Sequence, residues 1–152
     1  MITIIEGVDG TGKTTFAKRL AEETKSEYLH ASQPKTDSWL KEYLTPILRG
    51  DFVLDRWHIG ELVWPQIYGR KALFGPETFD MLNYQLATMG AKLILLNRSD
   101  NAIADELLRR GEEEEIELVL KAKSLFLDAF TKVKYIDKQI IDSEVVHNVY
   151  RN

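Results

Sequence analysis

The residues of this chain best equipped for chemistry sit near its start, in Glu6-Gly7-Val8-Asp9-Gly10-Thr11-Gly12-Lys13-Thr14-Thr15. Gly7, Gly12, Lys13 and Thr14 occupy every fixed position of the G-x-x-x-x-G-K-[ST] phosphate-binding loop. Glycines let the backbone turn sharply and aim consecutive N–H groups at phosphate oxygens, so Gly7, Gly10, Thr11, Gly12, Lys13, Thr14 and Thr15 form the expected cradle. Lys13 supplies a point charge for the β- and γ-phosphates, and the Thr14 hydroxyl is placed to ligate Mg²⁺. The spacing predicts a nucleoside triphosphate site. A second anchor is Asp55-Arg56. A carboxylate at the end of a neighbouring strand would serve the Mg²⁺ shell, and an arginine beside it can grip a second phosphate with two N–H groups. Alone, the same pair would read as a surface ion pair closing a strand.

Such a loop needs a strand before it and a helix after it, and the pattern supplies both. Ile2 to Ile5 reads as a buried strand, and Phe16 to Ala21 opens a helix that fades around Glu22 to Lys25. Glu27 to His30 is a short second strand, followed by a turn at Ala31-Ser32-Gln33-Pro34-Lys35, where Pro34 disfavours helix in its predecessor. Asp37-Ser38 can cap a helix carrying Trp39, Leu40, Tyr43, Leu44, Ile47 and Leu48, with Gly50 as its stop and Pro46 expected to kink or interrupt it. Asp51 to Asp55 is a buried strand with Arg56-Trp57-His58 at its carboxyl end, where open parallel sheets hold their ligands. A helix from about Ile59 to Tyr68 should bend at Pro65, and Gly75-Pro76-Glu77 opens another, with Phe79, Leu82, Leu86 and Met89 at helical spacing.

Leu93 to Leu96 is the most apolar strand, and Asn97-Arg98-Ser99-Asp100 turns from it into a helix holding Ile103, Leu107 and Leu108 that runs out at Arg109-Arg110-Gly111. Beyond the acidic run Glu112 to Glu115, Ile116, Val119, Leu120, Leu127 and Phe130 mark one long amphipathic helix. Val133 to Ile136 is a candidate last strand, and Val145 to Tyr150 a candidate terminal helix. Strands alternating with helices predict a three-layer α/β domain over residues 1–152, a P-loop NTPase fold with about five parallel strands and right-handed crossovers.

The composition fits one domain: 152 residues, 44% hydrophobic and 29% charged. No apolar run reaches membrane-spanning length, and the loop begins so close to Met1 that no cleaved targeting peptide is expected. With no cysteine, disulfides and thiolate metal sites are excluded. A net charge of −4 argues against a nucleic-acid polymer as partner. The expectation is a cytoplasmic protein handling small anions.

The stretch Glu6 to Thr15 closely resembles the opening of thymidylate kinases, E-G-x-D-G-x-G-K-[ST]-T. Their second signature, D-R-Y-x-x-S-x-x-A-Y-Q, has its counterpart in Asp55-Arg56-Trp57-His58-Ile59-Gly60-Glu61-Leu62-Val63-Trp64-Pro65. Asp and Arg match, both tyrosines become tryptophan, and Ser, Ala and Gln become Gly60, Val63 and Pro65. The resemblance implies Mg-ATP-dependent phosphorylation of a deoxynucleoside monophosphate, dTMP or a related pyrimidine. It gives Asp9 to the sugar 3′-hydroxyl, Arg56 to the acceptor phosphate, and Asp55 to the Mg²⁺ shell. It places an abbreviated acceptor region at about 31–90 and a lid at about 98–116. There, Arg109 or Arg110 would close on the transferring phosphoryl group, as the loop itself carries no arginine at Gly10-Thr11. The alternative for these arginines is a cationic helix end, favourable with the helix dipole. The family's T-R-E-P-G stretch is reduced here to Ser32-Gln33-Pro34-Lys35, which keeps only the proline. Such relatives pair through helices flanking the sheet, which implies a homodimer.

Trp57, Trp64, Tyr68, Phe74 and Tyr84 are candidates to stack on a base, with core packing as the alternative. Asn83 or Gln85 offers an amide to a base edge, and His58 reads as a positioning residue. Two rivals remain: a kinase of the same fold for another small-molecule acceptor, and a GTP-binding switch. Asn97-Arg98-Ser99-Asp100 mimics the guanine-reading N-K-x-D motif, but no D-x-x-G follows Asp51 to Asp55, so the switch has no glycine to sense the γ-phosphate.

Overall fold

The computed structural model describes residues 1–32 and 38–144. The expected turn at Gln33-Pro34-Lys35, the Asp37 half of the helix cap and the helix from Val145 to Tyr150 lie outside the described residues. Five strands form one parallel sheet: β1 (Ile2–Glu6), β2 (Glu27–His30), β3 (Phe52–Asp55), β4 (Lys92–Asn97) and β5 (Asp137–Asp142). Their order across the sheet is β2-β3-β1-β4-β5. Parallel neighbours require crossovers, and α1 (Lys13–Thr24), α2 (Trp39–Arg49), α3 (Gly60–Tyr68), α4 (Pro76–Thr88), α5 (Asp100–Arg109) and α6 (Ile116–Lys132) supply them.

Every residue of β1 and β3 is buried, as expected for strands covered on both faces. The two-residue period sorts their side chains between two cores. Ile2, Ile4, Phe52, Leu54, Leu93 and Leu95 join apolar residues of α2 to α6 on one face. Ile5, Val53, Ile94 and Leu96 pack with Ala17 and Ala21 of α1 on the other. Truncating a fully buried side chain such as Leu54 to alanine should cost about 2–5 kcal/mol.

One expectation is corrected here. The last strand is Asp137–Asp142, not Val133 to Ile136. Val133 and Ile136 are buried, but Tyr135 between them has φ 72°, which breaks an extended run. The strand that follows pairs with β4 alone and keeps polar residues, as a sheet edge permits. Pro46 and Pro65 each stand in the final turn of a continuous helix, where only one backbone bond is lost. Their carbonyls still accept the closing bonds, from Gly50 N–H and Arg70 N–H at 3.1 Å each.

The register positions the chemistry. Ile5 pairs with Asp55, and His30 pairs with Asp55 from the other side. The phosphate loop, Asp55-Arg56 and the end of β2 therefore leave the sheet side by side.

Candidate active site

The loop between β1 and α1 takes the conformation its glycines allow. Gly7 has φ 143°, and a Cβ there would lie 2.7 Å from the Leu96 carbonyl oxygen. Gly12, at φ 81°, is the left-handed step from which α1 starts. Since α1 opens at Lys13, its free N–H groups and positive dipole end face the loop's interior. The Thr11 hydroxyl donates to the Val8 carbonyl at 2.8 Å and braces the turn.

Lys13 is buried, with Nζ 3.3 Å from the Val8 carbonyl and 3.1 Å from Asp9 Oδ1. Arg56 Nη2 reaches the same oxygen at 2.6 Å. One carboxylate therefore holds two cations, one from the loop and one from the end of β3. Burial alone would raise the Asp9 pKa, but the Lys13 and Arg56 charges outweigh it and hold the carboxyl below its ordinary value. Burial dominates at Lys13 and lowers its pKa despite Asp9. Arg56 has φ 69°, a left-handed conformation that costs a non-glycine residue about 1–3 kcal/mol. Its N–H still pairs with the Ile5 carbonyl at 2.9 Å, so the chain leaves the sheet immediately after that bond.

Asp55 has a different shell. Its Oδ2 accepts from the Thr14 hydroxyl at 2.6 Å and the Tyr28 hydroxyl at 2.9 Å, and meets His30 Nδ1 at 2.9 Å. Burial pushes the Asp55 pKa up, but these bonds pull it below the ordinary value. Burial and the bond to Asp55 raise Tyr28 to about 12. Tyr28 and His30 were missed in the sequence. Their spacing of two places both on one face of β2, but nothing in the sequence shows that β2 lies beside Asp55. Asp55 Oδ1 is buried without a partner, and the Thr14 hydroxyl is adjacent. This hard oxygen set fits Mg²⁺, which takes one or two protein oxygens alongside phosphates and water.

A cavity of about 200 Å³ opens beside Asp9 and Arg56. Trp57, Trp64, Tyr68 and Tyr43 wall it, and Glu6 lies at its edge. Glu6 is fully buried and accepts the Trp57 N–H at 2.8 Å, while its second oxygen has no partner. Burial raises its pKa to about 7. Arg70 and Glu61, also unforeseen, line the same wall in a two-pronged pair at 2.7 and 3.1 Å. Glu61 additionally accepts the Leu73 N–H, which ties the end of α3 to the following segment. Phe74 packs in the core against Trp39, ring centroids 5.1 Å apart.

Tyr84 is not brought to this cavity. It stands exposed on the outer face of α4, its ring edge-on to Tyr135 at 5.9 Å. Asn83, on the inner face, is buried and meets His58 Nε2 at 2.7 Å, and Gln85 is exposed. Burial lowers the His58 pKa to about 4, so the pair is neutral and braces the residues behind Trp57. Arg109 and Arg110, at the end of α5, both bond Glu106. Arg110 is the less exposed of the two, and its charge adds to those that lower Asp9.

A parallel sheet of this order, with a glycine loop joining its central strand to a helix, is the P-loop NTPase fold. Solved structures share it. The YorR protein from Bacillus subtilis, in complex with phosphorylated GDP, superposes with a TM-score of 0.84 at 16% identity, covering 98% of this chain and 95% of that one. Deoxyadenosine kinase from M. mycoides with bound dCTP gives 0.60 at 13% identity, over 99% of each chain. A gluconokinase from Sinorhizobium meliloti gives 0.52 at 14%, over 98% and 95%. No protein-family model matches the chain, and no curated protein matches it. Among the described residues no helix is long and apolar enough to cross a membrane.

Proposed function

We propose that this chain is a nucleoside monophosphate kinase. It would move the γ-phosphoryl group of a magnesium-bound nucleoside triphosphate such as ATP onto a deoxynucleoside monophosphate, dTMP or a related pyrimidine. The observation that carries this reading is the convergence of Lys13 and Arg56 on Asp9, at the mouth of an aromatic-walled cavity. Phosphoryl transfer needs little covalent help from protein. It needs two phosphates held in line with their charge neutralised. Lys13 and the loop N–H groups would hold the donor, and Arg56 would hold the acceptor phosphate with Asp9 beside the sugar. Thr14 and Asp55 would hold Mg²⁺, which draws charge from the transferring group. Arg110, whose charge acts on Asp9, would be the one of the two arginines to close on that group.

The wall carries the Arg70–Glu61 pair, which brings both N–H donors and a carboxylate acceptor to a bound base. Trp57 lines the cavity from the core, and the half-buried Trp64, stacked on Tyr68, would be the aromatic to pack against a base. The decisive experiment measures diphosphate formation from Mg-triphosphate against a panel of deoxy- and ribonucleoside monophosphates, with Lys13→Ala as the blank. Turnover confined to one or two pyrimidine deoxynucleotides is expected. Hydrolysis that ignores every acceptor would sink the proposal.

A further inference from the structure

The acceptor cavity lies on the β3 side of β1, against Asp9, Arg56 and Trp57. With that side taken, a triphosphate laid along the loop would carry its base towards β4, on the other side of β1. At the carboxyl end of β4 stands the turn Asn97-Arg98-Ser99-Asp100, which joins it to α5. We propose that this turn is the base subsite for the phosphoryl donor and that it selects guanine, making GTP the preferred donor. The inference rests on the loop holding a triphosphate, but not on the identity of the acceptor.

The turn is built against the loop. Arg98 Nη1 donates to the Gly10 carbonyl at 2.8 Å, while its Nε is buried without a partner. Asn97 shares a narrow crevice with Gly7 and Val8, and the Leu96 carbonyl sits where a Gly7 side chain would be. Two further contacts brace the turn. Ser99 donates its hydroxyl and N–H to Glu144 at 2.6 and 3.3 Å, and Lys123 from α6 pairs with Asp100 Oδ1. Lys123 thereby fixes the Asp100 carboxylate and leaves Oδ2 to accept. A carboxylate only accepts, so it matches an edge made of donors, the N1–H and N2 amino group of guanine. Adenine presents an acceptor at N1, which the carboxylate repels. The Asn97 amide completes the pattern with a donor for the guanine oxygen or N7.

The test compares equilibrium binding of Mg-GTP and Mg-ATP to the full chain, and then each as donor with a fixed acceptor. Asp100→Asn is tested with GTP and with xanthosine triphosphate, whose 2-carbonyl matches an amide N–H. Wild type should favour GTP about ten- to a hundredfold. Asp100→Asn should lose most of that preference and gain on the xanthine nucleotide. Asp100→Asn lowering binding of every triphosphate alike would mark it as merely structural and overturn the subsite. Equal or tighter ATP binding by wild type would overturn it too. GTP binding without transfer to any acceptor would refute the kinase reading and leave the guanine subsite standing. Failure to bind any triphosphate would end both.

Discussion

The phosphate loop and the aromatic-walled cavity touch at Asp9, but they are built on different principles. The loop is one continuous segment, and its backbone does most of the work. Gly7 and Gly12 set the path, Thr11 braces it, and α1 begins where its free N–H groups are needed. The cavity has no such continuity. Its wall draws on the ends of β1 and β3, on Tyr43 of α2, on Trp64 of α3 and on Arg70 beyond it. Local chemistry specifies the first, whereas packing assembles the second. Substitutions should therefore act differently in the two places.

The largest effect is expected at the junction. Lys13→Ala removes the loop's point charge and should lower kcat about a hundred- to a thousandfold, read in a single-turnover transfer assay. Its thermal stability should change far less, because the loop backbone stays. If Lys13→Ala unfolds the protein instead, the loop is not the self-contained unit described here.

Acid offers a probe of the support beneath the cavity. Glu6 titrates at about 7 in the fold against 4.5 ordinarily, so the folded state binds its proton first and gains stability as pH falls from 7 to 5. His58 titrates at about 4 against 6.5, so the unfolded state binds its proton first and stability is lost over the same window. Each contribution is about 2 kcal/mol, with opposite sign, and the wild type should change little. Glu6→Gln should expose the loss and His58→Gln the gain, both read from urea denaturation at pH 7 and pH 5. Equal pH responses in the two variants would contradict the burial assigned to these groups.

A smaller effect separates Arg109 from Arg110. Arg110→Ala should slow transfer about ten- to a hundredfold more than Arg109→Ala, with the KM for the acceptor nearly unchanged. The reverse order would assign the transferring group to Arg109 instead. Smallest of all, Trp64→Ala should raise the acceptor KM by about tenfold while leaving triphosphate binding intact. A matching loss of triphosphate affinity would join the two regions more tightly than their construction suggests.

The sequence by itself determined the loop and the sheet strands that run through the middle of the chain. A glycine pattern dictates backbone shape locally, and buried parallel strands announce themselves as apolar runs. Arg56 was legible for the same reason, since it directly follows such a run. Only the tertiary structure decided what meets at the site. The β2–β3 register brings Tyr28 and His30 to Asp55, and the packing of α3 brings Glu61 and Arg70 to the cavity. It also sends Tyr84 to the outer face of α4 and replaces the expected strand at Val133 to Ile136 with a polar one. Side-chain type and spacing carry no information about which strand lies alongside, or which helix face the core claims. Those follow from burying both faces of one sheet at once, a constraint the whole chain satisfies together.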